Sequence, residues 1–134
     1  MIEFALHPRL EADSVFVADW ALSRVQLMDD VRYPWLVLVP RRMNVVELFE
    51  LSRPDREVLM EEVARAAKGL KAISGASKIN VGALGNLVPQ LHVHVVARHP
   101  DDPAWPGPVW GHSPAVRYQA AAGDALIARI RSEC

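Results

Sequence analysis

Hydrophobic and polar positions alternate most regularly in one short stretch, Gln90-Leu91-His92-Val93-His94-Val95-Val96. A period of two is the pattern of a half-buried β-strand. It places Leu91, Val93 and Val95 toward a core and Gln90, His92 and His94 together on the opposite face. The predicted strand covers about 89–97. By contrast, Trp35-Leu36-Val37-Leu38-Val39 is apolar throughout and stops at Pro40. Such a run predicts a central strand covered on both sides. Looser β patterns lie at 14–17, 22–28 and 77–83. The turn chemistry of Asp29-Asp30 joins the second of these to the central strand, and Leu84-Gly85-Asn86 joins the third to the histidine strand. Both connections read as antiparallel hairpins.

The period changes after Ser52. Leu59, Val63, Ala66, Ala67, Leu70 and Ile73 recur at steps of three and four, which predicts an amphipathic helix of about five turns. Ser52 can cap it, Pro54 is tolerated in its first turn, Asp55 suits its positive end, and Gly75 can stop it. Glu57, Glu61, Glu62, Arg65, Lys68 and Lys71 make up its polar face. Single helical turns are predicted over Arg9–Ala12, in the lead-in segment, and within Val45–Leu51. Ser113-Pro114 resembles a second cap, and Val116, Ala120, Leu126, Ile127 and Ile130 predict a final helix over about 114–132, weakened near Gly123. Residues 99–113 hold four prolines and two glycines and are irregular, but Trp105 and Trp110 predict that they pack down. No βαβα alternation occurs. The expectation is an α+β domain spanning 1–134, with an antiparallel sheet of about five strands, one long helix and a C-terminal helix.

Composition narrows the function classes. Net charge is −1, which argues against nucleic acid or an anionic membrane as partner but allows a small phosphorylated ligand at one local site. Cys134 is the only cysteine, so no internal disulfide or cysteine metal cluster is expected, and a reducing, cytoplasmic setting follows. The first eight residues lack a basic and then apolar leader pattern, and no run reaches the length of a membrane span.

The histidine row carries the candidate chemistry. A neutral imidazole is a competent nucleophile toward phosphorus near neutral pH. A second histidine two residues on can hold phosphate oxygens or assist a leaving group. Two plainer readings compete: the histidines are polar residues on a solvated face, or they share a metal ion. Two histidines with no acidic or cysteine partner nearby are too few for zinc, so neither metal nor cofactor is expected. His7, His99 and His112 lie in irregular segments and read as surface residues, with Arg98 and His99 near enough to the strand end to reach a pocket rim. Arg41-Arg42 reads as a solvated turn or a phosphate contact; Trp105 and Trp110 read as packing residues ahead of ligand platforms, or as interface anchors in an oligomer.

These residues resemble the histidine triad superfamily, whose motif is His-φ-His-φ-His-φ-φ with φ apolar. The likeness spans about 14–110. Asn80-Val81-Gly82 with Gly85-Asn86 is similar to the family's asparagine strand and glycine turn. Trp35 to Arg42 is similar to its strand ending in proline and basic residues, and Trp105-Pro106-Gly107 to the segment after the motif in the Hint branch. The resemblance implies a compact α+β fold, usually a homodimer. It implies that His92 attacks the α-phosphorus of a nucleotide, forming a nucleotidyl-histidine that water or another acceptor then resolves. It places His94 at the phosphate, Asn80 and Asn86 near it, Met28 at the base and Asp29 at the sugar.

Two departures stand out. Gln90 occupies the first histidine's place, and a glutamine can hold a hydrogen bond but cannot be an acid or a cation. Leu87 stands where Hint-like members carry a serine that meets the phosphate. Two functions follow: a hydrolase or nucleotidyl transferase acting on nucleoside phosphoramidates or (di)nucleoside polyphosphates, slowed by these losses, or a nucleotide-binding module with little catalysis.

Overall fold

A computed structural model describes residues 4–134; Met1, Ile2 and Glu3, at the start of the lead-in segment, lie outside the described residues. The elements are α1 (Pro8–Asp13), β1 (Ser14–Asp19), β2 (Ser23–Met28), β3 (Trp35–Pro40), α2 (Arg53–Ser74), β4 (Lys78–Gly82), β5 (Val93–Arg98) and α3 (Ala120–Glu133), with a single 3₁₀ turn at Leu48–Glu50 before α2. The five strands form one antiparallel sheet in the order β1-β2-β3-β5-β4. The α+β architecture read from the sequence is the architecture found. No helix is long and apolar enough to cross a membrane among the described residues.

The apolar run of β3 sits at the centre because both of its faces are covered. Leu36 and Leu38 join Val93, Val95 and Ala97 of β5 and Leu59, Val63, Ala66 and Leu70 of α2 in one core. Trp35, Val37 and Val39 join Leu10, Val88, Val96 and Val109 in a second core on the other side of the sheet. Alternation along β5 therefore sends odd positions to the helix and even positions, His94 among them, to the second side.

Helix α2 follows its sequence signals closely. The Ser52 side chain accepts the Asp55 N–H at 3.2 Å, and Gly75 ends the helix in the left-handed region at φ 66°. Glu62 departs from expectation. It is buried rather than part of the solvated face, and its two carboxylate oxygens accept the N–H groups of Leu22 and Ser23, each at 3.0 Å. The turn into β2 exposes two backbone donors to the core, and a carboxylate from the helix satisfies both.

Two other boundaries differ from expectation. β5 begins at Val93, so Gln90-Leu91-His92 is irregular chain leading into the strand. The final helix begins at Ala120, not near Pro114. Segment 114–119 instead runs extended beside the β2–β3 loop. Val31 N–H donates to the Val116 carbonyl at 2.7 Å, Tyr118 N–H donates to Asp29 Oδ1 at 2.9 Å, and Arg117 pairs with Asp29 Oδ2 at 2.8 Å. These contacts take up groups that a helix starting at 114 needs for its own first turn.

The irregular stretch after β5 is fixed by a buried ion pair. Arg98 makes two bonds to Asp102, at 2.8 and 3.0 Å, and a third at 2.8 Å to Asn80 Oδ1 on β4. The Arg98 guanidinium holds the Asp102 carboxyl below its ordinary range. Asp102 also accepts the His99 N–H at 3.2 Å and the Trp105 N–H at 2.8 Å, so one carboxylate sets the course of the loop that carries Val109 and Trp110. With the two side chains 2% and 4% exposed, removing one partner strands a buried charge. Arg98→Met is expected to lower unfolding stability by about 3 kcal/mol in urea denaturation. A loss below about 1 kcal/mol contradicts the clamp.

Candidate functional site

A cavity of about 580 Å³ opens on the second side of the sheet, within the range of small-ligand sites. Its floor is His92 and His94, with Trp35 from β3. One wall is α1 (Arg9, Leu10 and Asp13), and a second is the Leu84–Val88 turn with Asn86. The third wall comes from Val109, Trp110 and the extended segment, whose alternate residues Ser113, Ala115 and Arg117 face inward. Met28 and Asp29 line it at the end of β2.

The two rings are buried, each 6% exposed, and meet edge to face with centroids 4.9 Å apart. Their hydrogen bonds assign their protons. His92 Nδ1 lies 2.7 Å from the Gln90 backbone carbonyl. A carbonyl only accepts, so Nδ1 carries the proton and the neutral ring keeps its free lone pair on Nε2. His94 Nδ1 lies 3.0 Å from the Trp35 indole Nε1. An indole N–H only donates, so His94 Nδ1 is the acceptor and its proton sits on Nε2. The pair therefore offers one imidazole lone pair and one N–H, which is what attack on an electrophile and restraint of its oxygen require.

Burial also keeps His94 neutral. It lowers the ring's pKa from 6.5 to about 3, with the neighbouring His92 adding to the shift. Trp110 packs at 5.5 Å from His94 and Trp35 at 5.6 Å, covering most of the ring and leaving 6% of the residue exposed. The Trp110 indole N–H is buried with no acceptor among the described residues.

The other sequence candidates divide. Met28, Asp29 and Asn86 line the cavity with the two histidines; Asn80 and the Gln90 side chain do not. Asn80 serves Arg98, as described. The Gln90 amide is turned to the lead-in segment: its Oε1 accepts the His7 N–H at 2.8 Å and its Nε2 donates to the Ala5 carbonyl at 2.9 Å. Because β5 starts only at Val93, the strict alternation that would put Gln90 beside His92 does not reach it. Leu87 lies on the cavity wall, 74% exposed. Arg98 and His99 stay off the rim: Arg98 is in its clamp, and His99 Nε2 is 3.1 Å from the Ser74 carbonyl. Arg42 pairs with Asp55 at 2.8 Å and Arg41 bonds the Trp20 carbonyl, so the basic pair is structural. His7 caps α1 by accepting the Arg9 N–H, and His112 meets the Ser113 hydroxyl.

Trp35, Arg9 and the 113–117 wall are cavity residues that sequence reading missed. Trp35 sits at the start of an apolar run and carries no polar signal except its single N–H. Alternation in 113–117 was hidden by a proline that reads as a helix start.

A sequence profile of the HIT domain matches residues 9–101. Among solved structures, the fold superposes on a histidine triad protein from Sinorhizobium meliloti 1021 with a TM-score of 0.96 at 46% identity, covering 98% of this chain and 97% of that one. A histidine triad protein from Bradyrhizobium japonicum gives 0.96 at 42% identity, with 98% of both chains covered. One from Marinobacter aquaeolei VT8 gives 0.95 at 41%, covering 97% of this chain and 95% of that one. No functionally curated protein matches the sequence.

The pKa of His94 has a consequence for stability. Between about pH 6.5 and about pH 3 the unfolded chain binds a proton there that the folded ring does not. Its contribution is therefore complete above about pH 6.5 and is lost as the pH falls toward 3. The drop in melting temperature from about pH 7 to about pH 4.5 is expected to be smaller in His94→Asn than in the unaltered chain; equal drops contradict the burial of a neutral ring.

Proposed function

Because the chain belongs to the HIT domain family, whose members are typically nucleotide-binding proteins and hydrolases, we propose that it cleaves a nucleoside phosphate at the α-phosphorus through a nucleotidyl-histidine. The reading rests on one observation above the rest: two adjacent buried imidazoles on one cavity floor, held in opposite tautomers. His92 Nε2 is the nucleophile. Its Nδ1–H stays bound to the Gln90 carbonyl, which stabilises the positive charge that develops on the ring. His94 Nε2–H donates to a phosphate oxygen. Water then attacks the phosphorus and gives up its proton to solvent, the P–N bond breaks, and the electron pair returns to Nε2.

The substrates are a nucleoside phosphoramidate or a (di)nucleoside polyphosphate. Met28 and the apolar wall receive the base, Asp29 the sugar, and Asn86 lies toward the phosphate. Asn80 and the Gln90 side chain act at one remove, through Arg98 and through the lead-in segment. The protein works as a single domain, as a homodimer, in the cytoplasm, without metal, cofactor, nucleic acid or membrane as partner. The second reading, a nucleotide binder with little turnover, is favoured by Leu87 and by the diversion of Gln90 from the cavity.

Mass spectrometry of the chain mixed with substrate and quenched in alkali separates the two. The enzyme gains the mass of a nucleotidyl group, a nucleoside monophosphate less one water, on His92, and His92→Ala abolishes both adduct and turnover while His94→Ala slows turnover on the order of 10²-fold. Full turnover by His92→Ala contradicts the assignment. Tight binding of a nucleoside monophosphate without adduct or turnover selects the binder.

A further inference from the structure

The hydrogen bonds that fix the two rings also limit what the site can release. Resting on the function proposed above, we infer that this site is specific for leaving groups that depart unprotonated, namely the acidic oxygens of phosphoanhydrides and acyl phosphates, and that it discriminates against amines.

Each position of the row is accounted for by an observed bond. The Gln90 amide has both ends engaged, to His7 N–H at 2.8 Å and the Ala5 carbonyl at 2.9 Å, away from the cavity. His92 is the attacking base and has no proton to give through Nε2. His94 receives the Trp35 indole N–H on Nδ1 at 3.0 Å, so its only proton is that on Nε2. A neutral imidazole N–H hydrogen-bonds but does not transfer its proton near neutral pH. To become an acid, His94 must be protonated on Nδ1, where the indole hydrogen already points. The groups facing it reinforce this: His92 along β5, Trp35 from β3 and Trp110 from the loop wall, with Gly82 opposite it on β4 bringing no side chain. Burial among them holds the ring neutral. Two carboxylates on the cavity walls are engaged by arginines, Asp29 by Arg117 at 2.8 Å and Asp30 by Arg32 at 2.9 Å, while Asp13 on the α1 wall is half-exposed, 3.8 Å from Arg9 and without a hydrogen bond to it.

The electron balance follows. The His92 Nε2 lone pair forms the P–N bond while the bond from phosphorus to the leaving group breaks. The leaving group keeps that electron pair and enters solvent as an anion. A phosphate or carboxylate is stable in that form. An amine is not, because it requires a proton before or during departure, and general acid catalysis of that kind contributes on the order of 10²–10⁴-fold. Arg9, on the same cavity wall, suits an anionic product. The lead-in segment that Gln90 secures runs directly into the helix carrying Arg9.

The test uses the full chain with two compounds of one nucleoside, adenosine 5′-(p-nitrophenyl phosphate) and adenosine 5′-phosphoromorpholidate. At about pH 7.5 kcat/KM for the ester is expected to exceed that for the morpholidate by at least about 10²-fold, with the gap narrowing as acid lets solvent protonate the amine. Replacing the p-nitrophenyl by a phenyl ester is expected to lower the rate steeply. Trp35→Phe, which frees His94 Nδ1, is expected to close the gap between ester and morpholidate by about tenfold. Independently of activity and of how that variant folds, NMR of the unaltered chain with ¹⁵N-labelled histidine is expected to show His94 in the Nε2–H form and His92 in the Nδ1–H form. Equal turnover of ester and morpholidate with parallel pH profiles overturns the inference, as does a proton on His94 Nδ1. Equal turnover accompanied by the His92 adduct removes this inference alone; no cleavage and no adduct with either compound removes the function it rests on as well.

Discussion

The hydrogen bond from the Trp35 indole to His94 Nδ1 is the contact on which the site depends. An unrestrained histidine near its ordinary pKa exchanges between two tautomers and a cation, and a row of such residues has no fixed division of labour. Here one donor-only partner and one acceptor-only partner settle both rings. The bond spans two strands: Trp35 opens β3, and His94 lies on β5 opposite Val37. Its geometry therefore rests on the β3–β5 register, and slippage by one residue would turn His94 to the helix side.

Much of the remaining structure holds that register and keeps water out. Both faces of β3 are packed, so the central pair of strands has little freedom. The Arg98–Asp102 clamp at the far end of β5 fixes the loop that returns Trp110 over His94. Asp29 and Asp30 fasten the extended 113–118 segment as the opposite wall. Charge lies mostly at the walls, where it is paired, and the floor is aromatic. A low-polarity floor strengthens each remaining electrostatic contact, including the one between the Gln90 carbonyl and the His92 ring.

How much of this was legible in the sequence depended on how local the cause was. The α2 helix, its Ser52 cap and its Gly75 stop were readable because each signal acts within one turn. The strands were readable from period, and β3 from the lack of one. The pairing of His92 with His94 followed from two residues of alternation. Long-range partners broke the other expectations. Gln90 is claimed by residues 83–85 positions earlier in the chain, so alternation did not tell where its side chain goes. Asp29 claims the backbone of Tyr118 across 89 positions, which outweighs the cap signal of Ser113-Pro114. Glu62 carries the composition of a surface residue and is drawn inward by two unpaired N–H groups. Trp35 is the extreme case: its indole N–H sets the tautomer of a histidine 59 positions away, and nothing beside it in sequence marks that contact.

The most direct measurement is a crystal structure with a nucleoside monophosphate bound. The account requires the phosphorus within about 3–3.5 Å of His92 Nε2, on the line of that lone pair, with a phosphate oxygen accepting from His94 Nε2. A phosphate seated instead against Arg9 or Arg117, with both imidazoles making no contact to it, would contradict the account.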